Sequence, residues 1–258
     1  MAETILELEG VSLKKNGQLI LADLDWKVEG GQHWAILGPN GAGKSFLLRL
    51  LSAQYFPTTG TISILGKRLG TYDVWKLKTH IGFVSDLLQK NYHENHCGEE
   101  VVLSGFFSSI GLYDTVTPAM ESRGAELINL LGLKELAPKP FGRMSHGQQR
   151  RFLLARAMVL EPELLVLDEP CSGLDPQARE IFLNSLARLA THTTLIFVTH
   201  NPEEIIPAIK NVLFLKQGRI FAQGTKAELL TSGRLSQLFD HNLEVFTQDE
   251  RYYLRFRN

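Results

Sequence analysis

Gly38-Pro39-Asn40-Gly41-Ala42-Gly43-Lys44-Ser45 constrains this chain of 258 residues more than any other stretch. It meets the pattern G-x-x-x-x-G-K-[ST] at every defined position. Trp34-Ala35-Ile36-Leu37 before it is the unbroken apolar run of a strand buried on both faces, and Phe46, Leu47, Leu50 and Leu51 after it recur at helical spacing. Strand, glycine-rich loop and helix in that order make a phosphate cradle. The glycines let backbone N–H groups turn inward around phosphate oxygens. Lys44 supplies a point charge, Ser45 offers a hydroxyl to Mg²⁺, and the helix that starts there adds its positive end.

Composition narrows the class. With 44% hydrophobic and 21% charged residues the chain is an ordinary globular protein, large enough for one sizeable core or a core with a subdomain. A net charge of -1 supplies no global field to draw in nucleic acid and argues against such a partner. The N-terminus Met1-Ala2-Glu3-Thr4 is acidic where a secretion signal is basic, and no apolar run reaches the roughly 18 residues of a membrane span. Cys97 and Cys171 form no disulfide framework and fit a reducing compartment, so a cytoplasmic location is expected.

Residues 5–28 alternate as strands (Ile5, Leu6 and Leu8, then Val11 and Leu13, then Leu24, Trp26 and Val28), which implies an antiparallel layer at the N-terminus. Thr61 to Leu65 and Ile81 to Val84 read as further strands. Glu99 to Phe107, Ala119 to Leu131 and Gln148 to Leu160 carry helical periodicity, broken by Gly132 and Pro138-Lys139-Pro140. Strands return at Leu164 to Leu167 and Leu195 to Val198, followed by a hairpin turning at Gln217-Gly218 and a terminal hairpin across Gln248-Asp249-Glu250. Alternating strands and helices imply a mostly parallel sheet. The fold expected is α/β: one domain over 1–258, with a core of 1–86 and 161–258 and an inserted α-helical subdomain at about 87–160.

Further stretches carry chemistry. Asp168 and Glu169 end a buried strand, where one acid can hold a Mg²⁺ shell while its neighbour activates an attacking water; a strand leaving the core for solvent is the bland alternative. His200 follows another such strand and could donate to a γ-phosphate. Ser145-His146-Gly147-Gln148 offers a helix N-terminus to phosphate, and taken alone would pass as a cap; Ser172-Gly173-Leu174-Asp175-Pro176 is a turn with a helix cap.

Together these motifs make the chain resemble the ATP-binding subunit of an ABC transporter over essentially its full length. They stand in that family's order: a Walker A loop (Gly38 to Ser45), a signature sequence (Met144 to Gln148), a Walker B strand ending in Asp168 and Glu169, a D-loop (Ser172 to Asp175) and an H-loop histidine, His200. The resemblance implies a P-loop NTPase core that binds ATP and Mg²⁺ and hydrolyses ATP, with Glu169 polarising water and His200 sensing the γ-phosphate. It also implies head-to-tail pairing, in a homodimer or with a homologous subunit. Ser145, Gly147 and Gln148 of one copy would then close over the Walker A loop of the other, on the cytoplasmic face beside separate transmembrane subunits.

Three positions depart from the family pattern. An aromatic that stacks on adenine is usual near position 15, where this chain has Lys15; Lys15 is then the nucleotide-binding residue at that position, and without the stacking partner poor discrimination of ATP from GTP is expected. Asp86 stands where a glutamine is usual, with Gln89 three residues later; Asp86 is expected in the Mg²⁺ shell, the alternative being a part in shaping the loop into the helical subdomain. His146 replaces the first signature glycine, where a positive φ is expected. Two clusters read as structural. His93 to Cys97 is a solvated loop without the spacing of a zinc site, and Arg150, Arg151 and Arg156 are helix-face and interdomain charges.

A transporter ATPase, with import favoured because the nucleotide domain is single and compact, ranks first. A soluble ABC-type ATPase of DNA repair or translation is the alternative, weakened because Ser145 follows Lys44 by 145 − 44 = 101 positions, too few for an inserted long coiled coil. A nucleotide-gated module that does not hydrolyse ranks third, against an intact Glu169.

Overall fold

The computed structural model describes residues 3–257; Met1 and Ala2, the start of the acidic N-terminus, and Asn258 lie outside the described residues. The chain forms two compact units, one of Met1–Lys78, Val166–Asp168 and Thr194–Asn258, the other of Thr79–Leu165 and Glu169–Thr193.

The first unit opens with β1 (Thr4–Lys15) and β2 (Gln18–Glu29), paired antiparallel. They turn through Asn16 and Gly17 at φ 50° and 77°, the left-handed pair that matches a two-residue loop to strand twist. Leu6, Leu8, Val11 and Leu13 face the core with Leu24, Trp26 and Val28. After β3 (Trp34–Leu37) come α1 (Lys44–Leu51), β4 (Thr59–Ile64), β5 (Lys67–Arg68) and α2 (Val74–Lys78). The antiparallel layer has the order β2-β1-β4-β5.

The second unit holds β6 (Ile81–Ser85), α3 (Asp86–Lys90), α4 (Gly98–Leu103), α5 (Pro118–Leu130), α6 (His146–Met158) and α7 (Pro176–Leu189), with β7 (Leu164–Asp168) entering from it and finishing in the first unit. Caps fix the helix starts: Thr117 and Asp175 accept from Met120 N and Ala178 N, each with proline in the first turn. The helix expected over 99–107 ends at Leu103 and tightens to a 3-10 turn, Ser104–Phe107. There the Ser104 hydroxyl donates back to Val101 O at 2.7 Å. α6 is the hub, in contact with α4, α5 and α7, and Phe152, Leu153 and Leu154 are buried on it.

The first unit resumes with β8 (Thr194–Thr199), β9 (Asn211–Lys216), β10 (Arg219–Thr225), α8 (Lys226–Leu229), α9 (Ser232–Phe239), β11 (Leu243–Gln248) and β12 (Arg251–Phe256). β3 pairs parallel with both β8 and β9, β9 pairs antiparallel with β10, and the order runs β10-β9-β3-β8-β7. β3 and β8 are buried along their whole length, as strands covered on both faces must be. The consequence is positional: the P-loop follows β3, His200 follows β8 and Asp168 ends β7, on three neighbouring strands.

Candidate nucleotide site

Close packing shapes the P-loop. A side chain on Gly38 would place its Cβ 2.1 Å from the Leu215 carbonyl oxygen, so only glycine lets the loop leave β3 beside β9. The turn between β9 and β10 holds the loop from outside, because Gly218 N donates to Ala42 O at 3.0 Å. Lys44, only 6% exposed, folds across the loop and donates from Nζ to Gly38 O at 2.9 Å and Pro39 O at 3.2 Å. Gly43 at the start of α1 makes no side-chain cap hydrogen bond, and a helix N-terminus of this kind suits phosphate oxygens. Ser45 Oγ donates to Asp168 Oδ1 at 3.4 Å, a contact across 123 residues that joins the loop to the end of β7. Pro39, Asn40 and His200 border one cavity.

Lys15 does not stand alone. Its Nζ lies 5.2 Å from the ring centroids of both Phe46 and Tyr55 and donates to Tyr55 Oη at 3.1 Å. Arg49 also donates to Tyr55 Oη, at 3.0 Å. These two hydrogen bonds, Lys15's first, hold the Tyr55 phenol below its ordinary pKa. Aromatic rings therefore do stand at this corner, supplied by α1 and the segment after it. Sequence reasoning looked for an aromatic at position 15 and missed them, although Phe46 directly follows the P-loop serine.

In the second unit, Glu169 adopts φ 43°, a left-handed conformation unusual for a side chain of this kind. Ser145 and Gln148 form a reciprocal cap on α6: Ser145 Oγ accepts from Gln148 N at 3.3 Å and Gln148 Oε1 accepts from Ser145 N at 2.9 Å. His146 begins that helix and has no positive φ, so the conformation expected there is absent; Ser145 makes the turn instead, in extended backbone. Gly147 permits close approach of two helices, since a Cβ on it would stand 2.7 Å from Ala178 Cβ on α7. A cavity of about 230 Å³ opens beside Ser145, Gly147, Gln148 and Asp175.

Asp86 opens α3 and is held by two cations: Lys90 Nζ lies 2.5 Å from Oδ2 and Arg150 NH2 3.1 Å from Oδ1. The Lys90 hydrogen bond, and behind it the Arg150 charge, lower the Asp86 pKa below the ordinary carboxylate value. Gln89 Nε2 donates to Gln149 Oε1 at 2.5 Å. Of the three arginines of α6, Arg150 is buried and the other two are half-buried. Arg150 is 2% exposed, Arg151 donates to Leu131 O at 3.0 Å, and Arg156 donates to Tyr92 Oη and Ser109 O. Expected as helix-face and interdomain charges, they tie α6 into its unit.

Residues 21–172, more than half of the chain, match the family model described as ABC transporter. The chain belongs to that family. It is 41% identical over 254 residues to the Bacillus subtilis (strain 168) ABC transporter ATP-binding protein YlmA, itself uncharacterised, covering 97% of this chain and 96% of that one. It is 34% identical over 254 residues to YmeB of Lactococcus lactis subsp. lactis (strain IL1403), an ABC transporter ATP-binding protein also uncharacterised, covering 97% and 98%. Among solved structures, an ABC transporter assigned to the metal-chelate type, in an inward-facing conformation, superposes with TM-score 0.79 at 27% identity over 99% of this chain and 97% of that one. cbiO1 from Clostridium perfringens, part of the ABC transporter complex cbiONQ, does so with TM-score 0.77 at 26% identity, covering 91% and 94%. The chain is thus an ATP-binding subunit of the ABC transporter class, and ATP hydrolysis comes with the family. Among the described residues no helix is long and apolar enough to cross a membrane.

Proposed function

We propose that this chain is the Mg²⁺-dependent motor of a transporter whose membrane-spanning subunits are separate polypeptides. It works from the cytoplasmic face and drives solute transport, with import favoured. The observation that carries the catalytic half is the Ser45–Asp168 contact, which brings two oxygen donors together at the end of the P-loop. Hard oxygen donors are the set Mg²⁺ takes, so these residues fit the ion and would hold it. Bound there, Mg²⁺ would neutralise charge on the phosphates.

Residue roles follow from the arrangement. Backbone N–H groups from Gly38 through Ser45 cradle phosphate oxygens, with Pro39, Asn40, Gly41, Ala42 and Gly43 giving the loop its course. Lys44 exchanges its carbonyl acceptors for phosphate oxygens. Glu169, next in the chain after Asp168, takes the proton of the attacking water, and His200 donates to the γ-phosphate. Ser145, Gly147 and Gln148 act in trans, on nucleotide held by a second copy or a homologous subunit in a head-to-tail dimer. The helical stretch 87–160 acts as a subdomain within the core of 1–86 and 161–258. Lys15, with Phe46 and Tyr55, meets the base. The ion pairs of Asp86 with Lys90 and Arg150 support its part in shaping the entrance to α3 over a place in the metal shell.

The transporter half rests on the relatives, whose descriptions are those of transporter ATP-binding proteins; the soluble repair or translation reading is not favoured. Affinity purification of the tagged chain from its native membranes tests it. An integral membrane protein should copurify in stoichiometric amount. Recovery only with ribosomes or DNA-repair factors would overturn the assignment, and uptake or efflux by the reconstituted complex decides direction.

A further inference from the structure

We propose that the segment around α2 is a contact surface for anionic phospholipid headgroups, with Trp75 as its anchor. The inference rests on the reading above that the chain works at the cytoplasmic face of a membrane.

Residues 67–78 carry Lys67, Arg68, Lys76 and Lys78 against a single acid, Asp73, on a chain whose net charge is -1. Asp73 is engaged at the start of α2, where its Oδ1 accepts from Trp75 N at 2.9 Å and from Lys76 N at 3.4 Å. The segment is held down at Leu69 and Leu77, both buried, and Leu69 N donates to Ile62 O at 2.9 Å. Helical geometry then sets the direction of Trp75. Two residues from Leu77, it lies about 200° around the helix from that buried side chain, on the solvent side. Trp75 is accordingly 74% exposed and Tyr72 38%, whereas Trp26 and Trp34 are buried.

Each of the two exposed rings carries an ammonium. Lys67 Nζ stands 5.3 Å from the Tyr72 ring centroid, and Lys78 Nζ 5.1 Å from that of Trp75. An ammonium has three donors and a ring occupies only one side of it, so phosphate oxygens can approach the other. Tryptophan and tyrosine with lysine beside them are the set that settles at headgroup depth, the ring against the apolar boundary and the cation on phosphate. The cytoplasmic leaflet is anionic and supplies the opposite charge. An acidic protein segment would match the charge alone, while a bilayer surface also takes an aromatic that stands out on a short helix.

The test uses the purified full-length chain and vesicles of mixed phosphatidylglycerol and phosphatidylcholine that contain no membrane protein. The chain should float with these vesicles, not with pure phosphatidylcholine, and added salt should release it. Trp26 and Trp34 are already buried, so a blue shift of tryptophan emission on binding reports Trp75, and Trp75→Ala should abolish it. Lys67 and Arg68 are exposed, and Lys67→Gln and Arg68→Gln should each weaken vesicle binding about fivefold. These charge variants carry the test if Trp75→Ala fails to fold. No flotation, equal flotation on pure phosphatidylcholine, or affinities unchanged in both charge variants would overturn the proposal. So would an emission shift seen only when a copurified membrane subunit is added, which would make the patch a protein contact. Failure on vesicles leaves the copurification of a membrane subunit standing, so the two readings fail separately.

Discussion

Ser45 Oγ and Asp168 Oδ1 lie 3.4 Å apart although 123 residues separate them. One ends a glycine-rich loop and the other a buried strand, and sheet order makes them neighbours. If they hold Mg²⁺, Asp168→Asn should raise the Mg²⁺ concentration for half-maximal ATP turnover by about tenfold or more, and Ser45→Ala should act in the same direction by less. A Mg²⁺ titration of hydrolysis for both variants checks this. An unchanged midpoint in Asp168→Asn removes Asp168 from the metal site.

Glu169 sits at φ 43°, a conformation that costs a non-glycine residue of order 1 kcal/mol or more. Replacing it by Gly or Asn, which tolerate that region, should stabilise the fold by about 1 kcal/mol while abolishing hydrolysis. Chemical denaturation beside an ATPase assay separates the two effects. A Glu169→Gly protein that is less stable than the unaltered chain would show that the strain is not stored there.

The P-loop, the paired acids and His200 were legible because each is written within a few adjacent residues, and the order of strands and helices carried the fold. What escaped was long-range. Tyr55 is 40 residues from Lys15, and no local pattern announces that its ring lies beneath the lysine. The arginines of α6 read as helix-face and interdomain charges because a 3.6-residue period records polarity and not partners, while Arg150 is buried against Asp86, 64 positions earlier. The positive φ expected at His146 came from the glycine usual there, whereas a serine cap made that conformation unnecessary.

At the base corner, the expectation from Lys15 alone was poor discrimination between ATP and GTP. With Phe46 and Tyr55 beneath the ammonium, Tyr55→Ala should weaken nucleotide binding by roughly 1 kcal/mol, a factor of about five. Lys15→Tyr should sharpen the preference for ATP. Titration of both nucleotides against the three proteins measures it, and equal affinities throughout would exclude this corner as the base site.

Asp86→Asn removes one charged partner of the buried Arg150. Because the aspartate side chain is half exposed, the loss should be only about 1 kcal/mol, below that of a fully buried pair. The pKa of Asp86 is lowered in the folded chain, so its stabilisation is complete above the unfolded value near pH 4 and fades as pH falls through the lowered folded value. Denaturant midpoints should therefore differ between wild type and variant at pH 7 and converge as the pH falls below the lowered folded value. A shifted Mg²⁺ midpoint for Asp86→Asn, with Gln89→Ala unaffected, would instead place Asp86 in the metal shell.

If Glu169 is the residue that activates water, the steady-state rate of Mg-ATP hydrolysis by Glu169→Gln tests it most directly. The amide keeps the size and backbone conformation of the glutamate and loses the proton acceptor. The variant should bind ATP with unchanged affinity, accumulate as a nucleotide-bound dimer, and hydrolyse at least about a hundredfold more slowly than the unaltered protein. Hydrolysis at the wild-type rate in a preparation free of contaminating ATPase would contradict the mechanism at its centre.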